Sequence, residues 1–201
     1  MTDASLSSRE RSAFADALAR LGPDAPTCCE GWTTAHLAAH VVVRDRRPDA
    51  QVGLGVEKLA VGRPLARWAH AVEDRLRAGT PYAEVVSRVR SGPPAWSPMR
   101  LPAIDRLFNT SEFVIHHEDV RRARPDWQPR ALPAADQDQI WGLVTAFSRA
   151  VRRPTLLRRS DATGVERRTG SGEPTRTVSG EPLELLLWLS GRRSIARVEI
   201  S

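Results

Sequence analysis

Glu112 and His116 stand four residues apart in the segment Asn109-Thr-Ser-Glu112-Phe-Val-Ile-His116-His117-Glu118-Asp119-Val-Arg121-Arg122. On a helix that spacing puts a carboxylate and an imidazole on one face. The two are ready ligands for a borderline metal such as zinc. Asp119, three residues past His116, is placed to hold the second nitrogen of that ring. The pair lacks a third ligand, and His40 offers one. Two histidines and one carboxylate from separate helices leave a coordination position open, the mark of a catalytic rather than a structural site. The bland reading is that Glu-x3-His arises by chance and that a histidine beside an apolar stripe is hydrogen-bonded in the core. Periodicity does not separate His40 from His36, one turn earlier. His117 points about 100° away from His116, toward the surface or a supporting role, and His70 reads as structural.

Several helices must position these groups. Phe14, Ala17, Leu18 and Leu21 mark a helix from Leu6 to Leu21 that stops at Gly22-Pro23. Thr33 or Thr34 caps a second helix through Leu37, His40, Val41 and Arg44 up to Pro48. A third covers Arg63 to Ala78, with Pro64 in its first turn, and a shorter piece runs from Pro81 to Arg90. The segment carrying Glu112 and His116 reads as one long helix from Pro102 to about Arg124, ended by Pro125. Another begins at Pro133, with Ile140, Trp141, Val144 and Phe147 on one face, and ends before Pro154.

The pattern then changes. Thr155–Asp161, Val165–Thr169 and Thr175–Val178 read as short strands, Glu181–Gly191 as an amphipathic helix, and Ser194–Ile200 as an edge strand. Helices first and a small mixed piece afterwards predict an α+β fold with two domains, 1–152 and 153–201.

The chain has 201 residues, and 41% hydrophobic content supports a genuine core. Its formal charge of +6 invites a nucleic-acid reading. The basic residues, arginines apart from Lys58, are scattered among acids, as in Arg9-Glu10-Arg11 and Glu73-Asp74-Arg75. Such runs read as solvated helix faces, so a nucleic-acid partner is not expected. No leader-like start and no span-length apolar run is seen, so a cytoplasmic protein without a membrane partner is expected. The adjacent Cys28 and Cys29 form no disulfide framework and fit a reducing compartment. They read as one buried thiol and one incidental one, rather than as soft metal ligands.

Three motifs carry a resemblance. Cys29-Glu-Gly31-Trp32-Thr33-Thr-Ala-His-Leu37-Ala-Ala-His40 resembles the Cys-x-Gly-Trp-Thr-x-x-x-Leu-x-x-His signature of the mycothiol-dependent maleylpyruvate isomerase family. That family belongs to the DinB-like metal-binding four-helix bundles. Glu112-Phe-Val-Ile-His116-His117-Glu118-Asp119 resembles its second signature, Glu-x-x-x-His-x-x-Asp. Val178-Ser-Gly180-Glu-Pro-Leu-Glu-Leu-Leu-Leu-Trp188-Leu-Ser-Gly191-Arg192 is similar to its C-terminal domain. The resemblance implies an up-down-down-up bundle followed by a cap similar to sterol-carrier-protein folds. It also implies zinc on His40, Glu112 and His116, and decides against His36. Nickel or iron would accept the same donors.

The function it implies is a zinc-dependent enzyme using a low-molecular-weight thiol, mycothiol-like, on a small electrophile, as an S-transferase or a cis-trans isomerase. Asp119 would orient a ligand ring, and Arg192, Arg122 or Arg44 would hold a carboxylate or the cosubstrate. The stretches Arg44–Pro48 and His117–Arg122 depart from the isomerase pattern and look closer to an actinobacterial branch. Two other classes compete: a metal-dependent small-molecule binding or resistance protein without turnover, and a non-enzymatic bundle that contacts a partner. Bundles of this type often pair as homodimers, although no leftover apolar stripe marks the face.

Overall fold

The computed structural model of the protein describes residues 4–47 and 63–201; the expectations for Pro48 and for the stretch up to Gly62 lie outside them. The fold is mixed α+β, and it divides into two compact units, Met1–Trp127 and Gln128–Ser201.

In the first unit, α1 (Leu6–Leu21) begins where the Ser5 hydroxyl accepts the Ser8 amide and ends at Gly22, whose φ of 78° suits glycine. Helix α2 (Thr34–Arg46) follows a tight loop, α3 spans Arg63–Gly79, and α4 (Tyr82–Ser91) starts after Pro81. The segment expected as one helix from Pro102 is not uniform. A single α turn at Pro102–Ile104 leads into a π-helical turn, Asp105–Asn109, and only then into α5, Thr110–Arg121. Phe14 and Leu18 of α1, Leu37 and Val41 of α2, Val85 and Val89 of α4, and Phe113 and Val120 of α5 close one buried cluster. Each such side chain contributes about 1.5–3 kcal/mol by leaving water, so the four helices are held by their apolar stripes. No helix among the described residues is long and apolar enough to cross a membrane.

The second unit holds α6 (Ala134–Ser148), β1 (Thr155–Arg159), β2 (Glu166–Thr169), β3 (Thr177–Gly180), α7 (Pro182–Leu189) and β4 (Glu199–Ile200). Its sheet runs β2-β1-β3-β4, with β1 and β3 parallel and the outer pairs antiparallel. The division precedes the junction expected at Arg152–Pro154, because α6 packs on α7 and on the sheet side of the chain. Gln137 of α6 ties the two helices directly. Its amide oxygen accepts the Leu183 N–H at 3.2 Å and its nitrogen donates to Glu181 at 3.0 Å. The expected edge strand Ser194–Ile200 shrinks to its last two residues, since the amides of Ile195 and Ala196 bond back to the Arg192 carbonyl in a turn.

Candidate metal centre

Three helices of the first unit and one loop build the site. The loop Gly22–Thr33 is braced by an antiparallel bridge between Pro26 and Thr33 and by Thr27, whose hydroxyl donates to the Trp32 carbonyl at 2.8 Å. It delivers Trp32 and Cys29, and the Cys28 amide bonds the Asp119 carbonyl at 2.9 Å, fixing loop to α5. Thr33 caps α2, and His36 Nδ1 accepts the Thr33 amide at 3.1 Å. That capping role accounts for His36, so His40 is the histidine that α2 presents to α5.

His40 Nε2 lies 3.7 Å and His116 Nε2 3.3 Å from Glu112 Oε2. The ligand atoms of these three residues all lie within 4.8 Å of one another. Tetrahedral ligands at about 2.0–2.1 Å from zinc stand about 3.3–3.4 Å apart, so the spacing suits a zinc-sized ion after small shifts. Glu112 Oε2 is also a buried oxygen with no hydrogen-bond partner among the described residues. A buried carboxylate oxygen without a donor is costly unless a cation sits beside it. The donor set and the orphaned oxygen both fit a borderline divalent metal.

The outward nitrogens of both rings are held. His116 Nδ1 is 2.9 Å from Asp119 Oδ2, and His40 Nδ1 is 2.8 Å from Glu73 Oε1. Carboxylates on both Nδ1 atoms keep the protons there and turn the Nε2 lone pairs inward, the arrangement that supports metal-ligating histidines. Burial alone would lower the His116 pKa, but the neighbouring Asp119, Cys29 and Glu112 lift it well above its ordinary value. For His40, burial again opposes and the neighbouring carboxylates of Glu112 and Glu73 win, raising it. Burial would push Glu112 up, yet the two imidazoles and Arg44 hold it well below the usual carboxylate range. The pocket therefore favours positive charge on the nitrogens or, equally, a dication between them.

Glu73 is the residue that sequence reasoning missed. The run Glu73-Asp74-Arg75 reads as a solvated face, but Glu73 is 7% exposed. It bridges His40 and, through Oε2 at 3.1 Å, His70. The available signal was its place four residues after Ala69 and three before Leu76, on the buried stripe of α3. Glu73→Gln is expected to weaken metal binding about 10- to 100-fold, read by competition with a chromophoric chelator; an unchanged affinity would remove Glu73 from the site.

The arginines divide. Arg44 is at the site: its Nε is 3.8 Å from Glu112 Oε2, and its Nη1 donates to Asn109 at 2.8 Å and Asp45 at 3.2 Å. Arg122 is not: its Nε binds Glu118 and its guanidinium covers the Trp127 ring, 4.7 Å from the centroid. Arg192 belongs to the second unit, where Nη1 donates to the Ser190 carbonyl at 3.0 Å. His117 is buried and bonds Glu10 at 2.9 Å, rather than facing the surface.

Asp45, behind Arg44, is 1% exposed, and its Oδ2 has no donor among the described residues. Burial outweighs Arg44 and Arg11 and pushes its carboxyl from 3.8 up to about 6. The folded protein thus holds this proton more tightly than the unfolded chain. The resulting stabilisation is full below 3.8 and is lost as pH rises to about 6. Denaturant titrations across that window are expected to show stability falling with pH in the wild type and a flatter profile in Asp45→Asn.

Crystal structures of the mycothiol-dependent maleylpyruvate isomerase share this fold. A histidine-to-alanine mutant of that protein superposes with a TM-score of 0.58 at 16% identity, covering 98% of this chain and 90% of that one. A second crystal structure gives 0.50 at 15% identity with the same coverage. No protein-family model and no curated protein matches the sequence.

Proposed function

We propose that the protein is a zinc-dependent enzyme that activates a low-molecular-weight thiol of the mycothiol type for reaction with a small electrophile, as an S-transferase or a cis-trans isomerase. The observation that carries the proposal is the convergence of His40 Nε2 and His116 Nε2 on Glu112 Oε2, a buried oxygen with no hydrogen-bond partner among the described residues. The shared fold with a thiol-dependent isomerase supports it. In this reading the first unit is a DinB-like bundle of up-down-down-up type and the second is similar to sterol-carrier-protein folds.

His40, Glu112 and His116 would hold zinc, which when bound lowers the pKa of a thiol enough to supply a sulfur nucleophile at neutral pH. Glu73 and Asp119 keep the Nδ1 protons in place, so neither ring turns its donor lone pair away. The Trp32 ring, 5.4 Å from that of His40, walls one side of the site. Arg44 is held by Asn109 and Asp45 with its Nε directed at the Glu112 side, positioned to anchor a carboxylate of the electrophile. Addition of the sulfur to an activated alkene, rotation and elimination would isomerise a substrate, and addition alone would conjugate it.

The test incubates the zinc-loaded protein with mycothiol, or a cysteine-based surrogate, and a panel of unsaturated carboxylates and ketones. Thiol-dependent product that disappears in His40→Ala supports the reading. Saturable binding of thiol and electrophile without product would replace it with a binding or resistance protein.

A further inference from the structure

We propose that Cys29, His116 and Asp119 form a second ligand set, for a soft divalent cation, and that this set and the His40–Glu112–His116 set exclude each other through the shared imidazole. The proposal goes beyond thiol chemistry and rests on the positions of the ligand atoms alone. Cys29 Sγ lies 3.1 Å and His116 Nδ1 2.9 Å from the same Asp119 oxygen. One ligand atom from each of the three falls within 4.8 Å of the others. The thiol is held there by the backbone, since the Cys28 amide bonds Asp119 and the Cys29 amide bonds Thr27 Oγ1 at 3.2 Å. The carboxylate is fully buried and cannot turn to water instead. A thiolate, an imidazole and a carboxylate select a softer cation than the two imidazoles and carboxylate next door.

The proton balance makes the two sets alternatives. A cation entering between Cys29, His116 and Asp119 displaces the thiol proton to solvent and takes the Nδ1 lone pair. The neutral ring then carries its one proton on Nε2, where it faces Glu112 Oε2 across 3.3 Å. An Nε2–H has no lone pair for an ion at His40 and Glu112. A thiophilic metal therefore relocates the bound charge across one imidazole rather than adding to it.

The experiment adds Cd2+ to the metal-free full chain and follows sulfur-to-cadmium charge-transfer absorption. The expected result is saturation at one ion per chain. The band should be lost in Cys29→Ser and kept in Cys28→Ser and in His40→Ala. The last variant separates the two sets: a wild type that binds no zinc but shows the band would sink the catalytic reading and leave this one standing. Absence of the band in the wild type, its survival in Cys29→Ser, or simultaneous binding of two ions per chain would overturn the proposal.

Discussion

Replacing His116 by alanine is expected to take the zinc content from about one ion per chain to near none. The ring supplies the inner nitrogen closest to Glu112 Oε2, and the two donors that remain come from separate helices, α2 and α5. A two-donor remnant does not retain zinc through purification, because affinity for this ion comes from completing a three- or four-ligand shell. Stability should change in parallel. A ligand present at 100 times its Kd stabilises a fold by about 2.7 kcal/mol, so added zinc should raise the melting temperature of the wild type and leave that of the variant unmoved. Elemental analysis of untagged protein, wild type beside His116→Ala, makes the measurement. Equal metal in both, or a metal-free wild type that stays folded, would refute the metal centre.

The second large effect lies on the other face of the same helix. Glu118 is fully buried, with Arg122 Nε at 2.5 Å and Arg121 Nη1 at 2.6 Å. Arg122 is itself 6% exposed. Truncation to Glu118→Ala removes the carboxylate from this buried pair, which costs about 3–5 kcal/mol. The denaturation midpoint should fall accordingly, while the metal content of the folded fraction stays at the wild-type level. Loss of metal at unchanged stability would instead place Glu118 in the site.

The Glu112–His116 spacing was readable because both lie on one helix, where periodicity fixes their relation. The same holds for Asp119 and for the capping role of Thr33. What could not be read depends on packing between helices. Glu73 meets His40 only because α3 lies against α2; its place on the α3 stripe signals burial but not the partner it meets. Arg122 has the chemistry to hold a substrate carboxylate, yet Glu118 four residues earlier takes its guanidinium inside the helix. The strands and α7 were found from alternation and end signals, whereas α6 was expected with the bundle and groups here with the second unit. Its stripe of Ile140, Leu143 and Val144 is as compatible with a bundle as with the α7 surface it covers.

The π turn at Asp105–Asn109 preserves the rotational phase of everything after it. It holds one residue more per turn than an α-helix, and Asn109 anchors that extra residue through Met99, Asp105 and Arg44. Each residue of an α-helix advances the face by about 100°. The wide turn absorbs that extra residue, which a straight α-helix would pass on as a rotation of everything downstream. Removing one residue here would leave a plain α-helix and cost the Asn109 contacts to Met99 and Arg44, while Glu112 and His116 kept their face toward α2.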